Sequence, residues 1–329
     1  MKISLLLPFL GFCLSISTLS AQTTNEFKPS GKPEVLIFTN FNSSFSNGEN
    51  VSKFEVTRAY FGYGYNFSPT LSGRLMMDVG NPGVGKFQMT ALLKYAYVQY
   101  QKEKLTVKFG MIGTNGYDIQ EKFWGYRYIY KSFQDEYGMG PSADLGLSAA
   151  YKFNQVIGAD VIIQNGEGYK TLDNDSALKA GVGLTIHPVK SITLRGYYDT
   201  MKKDKANQQT TALMAGYANK YFSLGAEYNN QVDNSLKEGQ DFSGYSVYGT
   251  CFVNSKINLF ARYDYLNSEN KIILTNPWNY SKDGQIMMLG FEYRPVKGIK
   301  ISPNFQRWSP KSESKSVVST VFMNIEIKI

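Results

Sequence analysis

Ser191-Ile192-Thr193-Leu194-Arg195-Gly196-Tyr197-Tyr198-Asp199-Thr200-Met201 alternates in character along its length. Ile192, Leu194, Gly196 and Tyr198 fall on one face, and Thr193, Arg195, Tyr197 and Asp199 on the other. A period of two marks a β-strand with one apolar and one polar face. Residues 256–266 repeat the pattern, with Ile257, Leu259, Ala261, Tyr263 and Tyr265 against Asn258, Phe260, Arg262 and Asp264. The C-terminal stretch sets Val321, Met323, Ile325, Ile327 and Ile329 against Asn324, Glu326 and Lys328, with Phe322 the exception.

Extended along the chain, this reading gives sixteen strands. They start near Glu34, Lys53, Thr70, Gln88, Lys104, Ser142, Val156, Ala177, Lys190, Gln209, Lys220, Asp241, Lys256, Gly284, Lys297 and Ser316. Short connections are expected at Ser68-Pro69, Lys102-Glu103, Asn154-Gln155, Pro188-Val189, Asn219, Asn254-Ser255 and Pro295-Val296. Long ones are expected around Asn47, Gly83, Gly125, Gly168, Asp204, Lys237, Asn276 and Lys311. Strict short–long alternation is the signature of an up-and-down transmembrane barrel, with short periplasmic turns, longer external loops and strands of about 10 residues. Backbone in lipid cannot leave an open edge, so the sheet must close. A soluble sandwich packs two apolar faces together and turns polar faces outward, which leaves the alternation unexplained. The expected fold is all-β: a closed antiparallel transmembrane β-barrel of about 16 strands, with a long third external loop carrying a short helix and folded into the lumen.

Composition agrees. Of 329 residues, 43% are hydrophobic and 15% aromatic, yet mean hydropathy is −0.29. That average excludes a bundle of transmembrane helices and suits strands that are half lipid-facing and half water-facing. Two Cys and one His exclude a disulfide scaffold and a Cys-rich or multi-His metal centre, so no metal or cofactor is expected. The net charge of +8 comes from dispersed residues, not from the basic cluster that nucleic acid requires. Residues 1–21 have the charged start, apolar core and small-residue end of a signal peptide. A periplasmic segment is expected over 22–33 and the barrel over 34–329, with a constriction loop at 114–141. The expected setting is the outer membrane of a Gram-negative bacterium, with its lipid and its assembly machinery as partners.

Aromatics crowd the strand ends, as in Tyr60, Phe61, Tyr63, Tyr65 and Phe67, and in Tyr95, Tyr97 and Tyr100. Such rings suit membrane–water interfaces. Glycines within strands, such as Gly62, Gly64, Gly181 and Gly183, admit curvature or close approach.

A charge facing lipid at mid-membrane costs about 2–4 kcal/mol, so strand charges belong inside. This assigns Arg58, Arg74, Arg195, Arg262, Arg294 and Lys108 to the lumen. Asp78 is expected beside Arg74, Asp199 near Arg195, Asp264 near Arg262 and Glu292 near Arg294. Two readings of this face are open: a guanidinium track that attracts anions, or ion pairs that stiffen a wet interior.

The longest connection, residues 114–141, contains Asp118-Ile119-Gln120-Glu121-Lys122-Phe123-Trp124-Gly125-Tyr126-Arg127-Tyr128-Ile129-Tyr130-Lys131. Connections this long in a compact fold are usually functional. A helix is expected over Ile119–Gln134, with Asp118 near its start, which would place Arg127 and Lys131 on one face. Arg127, Lys131, Glu121 and Lys122 are the expected constriction residues; the alternative is that the cations pair with Asp135, Glu136 or a wall carboxylate.

Gln120 to Ile129, followed by Ser142-Ala143-Asp144-Leu145-Gly146, resembles the phosphate-selective porin O/P family in its Bacteroidetes-type form. Asn165-Gly166-Glu167-Gly168-Tyr169-Lys170 and Tyr95-Ala96-Tyr97-Val98-Gln99-Tyr100 are similar to segments of the same family. The resemblance implies a sixteen-stranded porin, often a homotrimer, that passes small anions. Two features depart from it: the third loop lacks a run of basic residues, and the chain ends in Ile329 where many such barrels end in Phe. The expected function is passive diffusion of small, phosphate-like anionic solutes through a water-filled channel. The alternative is a non-channel barrel serving as scaffold, adhesin or secretion component. An enzyme is not expected, because His187 falls in a short turn beside Pro188. A gated receptor needs a plug and a larger barrel than this length allows.

Overall fold

The computed structural model describes residues 27–81, 89–173, 176–272 and 278–329. The expected signal peptide lies outside them. Sixteen strands are present: β1 (Ser30–Ser46), β2 (Glu49–Asn66), β3 (Leu71–Gly80), β4 (Thr90–Lys102), β5 (Leu105–Gly113), β6 (Ala143–Lys152), β7 (Ile157–Gln164) and β8 (Lys179–Ile186), then β9 (Ile192–Lys203), β10 (Ala206–Ala218), β11 (Phe222–Val232), β12 (Gln240–Phe252), β13 (Ile257–Asn270), β14 (Gly284–Tyr293), β15 (Ile299–Pro310) and β16 (Val318–Lys328). Each pairs with its neighbours in the chain, and β1 pairs antiparallel with β16 from Leu36↔Lys328 to Phe45↔Ser319. The sheet is a closed barrel. Every strand begins within four residues of its expected start.

Two connections expected to be long are tight turns. β1 and β2 run to 17 and 18 residues and meet at Asn47-Gly48, both with positive φ, the conformation a two-residue hairpin favours. β9 and β10 meet at Asp204-Lys205, where Asp204 has positive φ, and β10 starts earlier than its alternation suggests. In both cases the strands extend through what reads as polar loop.

The faces separate as period two requires. On β9, Leu194 and Tyr198 are 38% and 40% exposed on the outer surface, whereas Arg195, Tyr197 and Asp199 are buried inside. Outward rings gather at the short-turn end, among them Tyr63, Phe67, Tyr100, Tyr151, Phe153, Tyr221 and Tyr293. Not every strand-end aromatic joins them. Tyr60 points inward and packs edge-on against Phe38. Tyr95 and Tyr97 also turn inward, where Arg74 stacks over the Tyr95 ring and Lys108 over the Tyr97 ring. A bulge between Met76 and Met77 leaves Lys94 without a partner across the β3–β4 ladder, and an unpaired residue re-aims its neighbours.

Candidate pore constriction

Residues 114–142 connect β5 to β6 and cross the inside of the barrel. They hold two helices, α1 (Asp118–Trp124) and α2 (Phe133–Tyr137), rather than one. Gly125 ends α1 in the left-handed region at φ 75°, and its N–H donates to the Glu121 carbonyl at 3.0 Å. Glycine is the residue that adopts this cap without steric cost. Arg127 and Lys131 therefore lie between the helices and share no helix face.

Burial of apolar rings breaks the single helix. Trp124, Tyr126, Tyr128 and Ile129 insert among Phe38, Tyr60, Met76, Tyr248, Phe260 and Met288, which come from six different strands. Phe133, Tyr137 and Met139 pack separately against Phe242 and Leu266. Each large apolar side chain removed from water contributes about 1.5–3 kcal/mol, which outweighs the roughly 1 kcal/mol that one hydrogen bond of a continuous helix adds. Small wall residues make room. At Gly216 a Cβ would stand 2.5 Å from the Phe123 ring, and at Gly244 one would stand 2.4 Å from the Phe133 ring.

Polar wall groups hold the loop's backbone. Arg262 donates to the Lys131 carbonyl at 2.9 Å, Arg195 to that of Asn115 at 2.8 Å and Gln231 to that of Met139 at 2.6 Å. Tyr128 donates to Glu292 at 2.9 Å. The loop is thus fastened to inward faces on several sides of the ring.

The lumenal cations are mostly paired, and often not with the expected partner. Arg58 takes Asp78 at 2.9 Å, and Arg74 takes Glu34 at 2.6 Å. Arg195 pairs with Asp160, while Asp199 has Tyr197, Thr210 and Lys179 as neighbours. The reason is strand geometry. Residues four apart on one strand are separated by roughly 13 Å at about 3.3 Å per residue, whereas a residue on a neighbouring strand is in reach. Pairs two apart hold, as with Arg262–Asp264 at 2.7 Å and Arg294–Glu292 at 2.7 Å. Lys108 faces the Tyr97 ring.

The cations expected at the constriction are also engaged. Arg127 bonds Glu121 at 2.7 Å and also Asp135, and its second nitrogen reaches the Tyr60 hydroxyl at 3.5 Å. Lys122 pairs with Asp118 at 2.8 Å, one helical turn away, and Lys131 with Glu136 at 3.7 Å. Burial alone would raise the Asp135 carboxyl, but Arg127 and Lys131 outweigh it and hold it below the usual carboxylate range. For Arg127, burial opposes the charge, and Asp135, Tyr60 and Glu121 more than restore it. Ion pairing prevails on this surface over an open guanidinium track.

Sequence reading missed several groups. Tyr169, in the β7–β8 connection, folds inward and donates to Asp78 at 2.5 Å. Lys94, at the bulge, lies against the rings of Tyr60, Tyr95 and Tyr169. Its only sequence signal was a lysine interrupting the alternation of β4.

On the long-loop side a cavity of about 1030 Å³ opens over Arg127 and Lys131. Among the described residues it is lined by Arg58, Arg127, Lys131, Lys170, Lys179, Lys203 and Lys205 against Asp135, Glu167, Asp204 and Glu238. The excess is cationic. On the short-turn side, separate spaces lie beside Arg74 and Glu34, and beside Ile119, Asp160 and His187.

Solved structures share this architecture. The outer membrane channel DcaP of Acinetobacter baumannii superposes with a TM-score of 0.67 at 13% identity, over 92% of this chain and 97% of that one. A loop-deletion form of OmpT, an outer membrane protein of Vibrio cholerae, gives 0.64 at 14% identity over 91% and 99%. OprB of Pseudomonas putida gives 0.67 at 10% identity over 91% and 94%. The fold is that of outer-membrane barrels. No protein-family model and no curated protein matches the sequence.

Proposed function

We propose that this protein is an outer-membrane porin: a water-filled channel for passive diffusion of small solutes, with a preference for anions of the phosphate type. The observation that carries this reading is the vestibule, whose lining holds seven basic against four acidic side chains directly above the inserted loop. A confined mouth of one sign concentrates the opposite ion and speeds its entry. The polar interior, the apolar outer surface and the resemblance to the phosphate-selective porin O/P family, densest between Leu92 and Lys170, support the same reading. It carries with it a signal peptide over 1–21, insertion by the outer-membrane assembly machinery, and assembly as a homotrimer. Arg127, Lys131, Glu121 and Lys122 form the narrowest part, and the paired wall charges stiffen it.

Planar-bilayer recording of the pure protein tests the proposal. Ohmic channels with an anion-directed reversal potential in a KCl gradient are expected. Persistently closed barrels would favour a scaffold, adhesin or secretion role, and a clear cation preference would remove the anion reading while leaving the channel.

A further inference from the structure

The paired guanidinium groups leave open which charge fixes the ion preference at the level of the loop. Arg58, Arg74, Arg195 and Arg262 each hold one carboxylate, so each contributes a dipole more than a net charge, while Arg127 holds two and its group is net negative. Lys94 differs. It is 4% exposed, and among the described residues its one hydrogen bond runs to the Tyr60 hydroxyl at 3.4 Å. An ammonium has three donors, and only one of them is spent on a described residue. Around it stand three ring faces, Tyr60 at 4.9 Å, Tyr169 at 5.5 Å and Tyr95 at 5.7 Å. It forms no ion pair among the described residues. Asp135 senses it, but that carboxylate is already bound by Arg127.

Position adds to this. Tyr169 lines the vestibule, and its ring also faces Lys94. Tyr60 accepts from both Lys94 and Arg127, which places Lys94 at the level where the inserted loop meets the β2–β4 wall. Aromatic faces offset part of the cost of burying a cation without cancelling its charge. Salt screens a buried charge much less than an exposed one.

We propose that Lys94 is the selectivity-determining residue of this channel. Its charge, held in the tyrosine cage with no ion pair of its own among the described residues, tips the balance against the net-negative Arg127 group and sets the sign of the ions that pass from the vestibule to the lower lumen. The assignment rests on the channel reading above.

The test compares wild type, Lys94→Met and Lys94→Arg by reversal potential in a KCl gradient, with Lys170→Met as an exposed vestibule control. Lys94→Met is expected to abolish or invert the anion preference, and Lys94→Arg to keep it. The change should persist at about 1 M salt, where the Debye length falls to roughly 3 Å, whereas any effect of Lys170→Met should fade. If Lys94→Met does not insert, Tyr169→Ala decides: uncovering the ammonium should strengthen anion preference, and no change overturns the assignment. An anion-preferring wild type with an unaltered Lys94→Met variant overturns the role of Lys94 alone. A wild-type channel without anion preference overturns the underlying reading as well.

Discussion

Arg195 on β9 forms its ion pair with Asp160 on β7, across the intervening strand β8 and over Gly183, which has no side chain to block the guanidinium. The Arg195 side chain is fully buried and also holds the carbonyl of Asn115, where the inserted loop begins. One residue thus ties two strands and the root of the loop together.

Removing one partner of a buried ion pair is costly, typically about 3–5 kcal/mol, because the remaining charge is left uncompensated. Asp160→Asn should destabilise the barrel by an amount near the lower end of that range. Asp199→Asn, which removes no partner of Arg195, should cost clearly less. Urea unfolding in detergent micelles compares the two, and equal losses would argue against the cross-strand pair.

The ring of Trp124 is buried among inward residues of the wall, and its indole N–H donates to the Tyr130 carbonyl at 2.9 Å. Trp124→Ala should cost about 3–5 kcal/mol, as truncations of buried large rings do. The loss should fall on the loop, not on the strand ladder. Larger and noisier single-channel currents are expected, with heat resistance of the barrel little changed.

Gly216 and Gly196 lie on neighbouring strands but face opposite ways. Gly216→Ala would press the Phe123 ring, whereas a Cβ at Gly196 would meet only Leu213, at an ordinary 3.8 Å. Overpacking of this kind costs about 1–3 kcal/mol. Gly216→Ala should therefore alter conductance by moving α1, and Gly196→Ala should leave it unchanged.

Asp135 gives a pH dependence of definite sign. Its folded-state value lies below the ordinary one, so its grip on Arg127 is complete above the unfolded value of about 3.9. That grip is lost as pH falls through the lower, folded value. Acid should loosen the loop, seen as rising current noise below about pH 4. Asp135→Asn should show the loosened behaviour already at neutral pH and respond less to acid.

Arg127→Gln uncovers the carboxylates of Glu121 and Asp135, and Lys131→Gln frees Glu136. The double variant should move the reversal potential toward cations, with Arg127 giving the larger share because it holds two carboxylates. An unchanged reversal potential would show that these two loop cations do not contribute to the selectivity assigned to Lys94.

The barrel was legible because each half of a strand meets a different medium, so the alternation is written into residues such as Leu194 and Arg195. Strand starts followed to within a few residues. Pairing partners were not legible. Arg195 could be placed on the inner face, but Asp160 is its partner through register and through a glycine on the strand between, which a linear reading does not contain. The loop misled for a related reason. Helical spacing from Ile119 onward was real, but Trp124, Tyr126 and Tyr128 each find a separate place in the wall, and tertiary burial overrides local propensity. Lys94 was hidden by a bulge, which shifts the parity from which facing is inferred.

The seam between β1 and β16 joins the first described strand of the chain to the last, as in Leu36 against Lys328. Contacts so distant along the chain carry the greatest loop-closure entropy and form slowly. The ring cannot be completed until β16 has been made. Until then the open edges of β1 and of the growing sheet are templates for mispairing. A chain with this topology is open to mispairing until the seam closes, and substitutions along it, at Phe41 or Met323 for example, should show first as lower yield of assembled protein rather than as altered conductance.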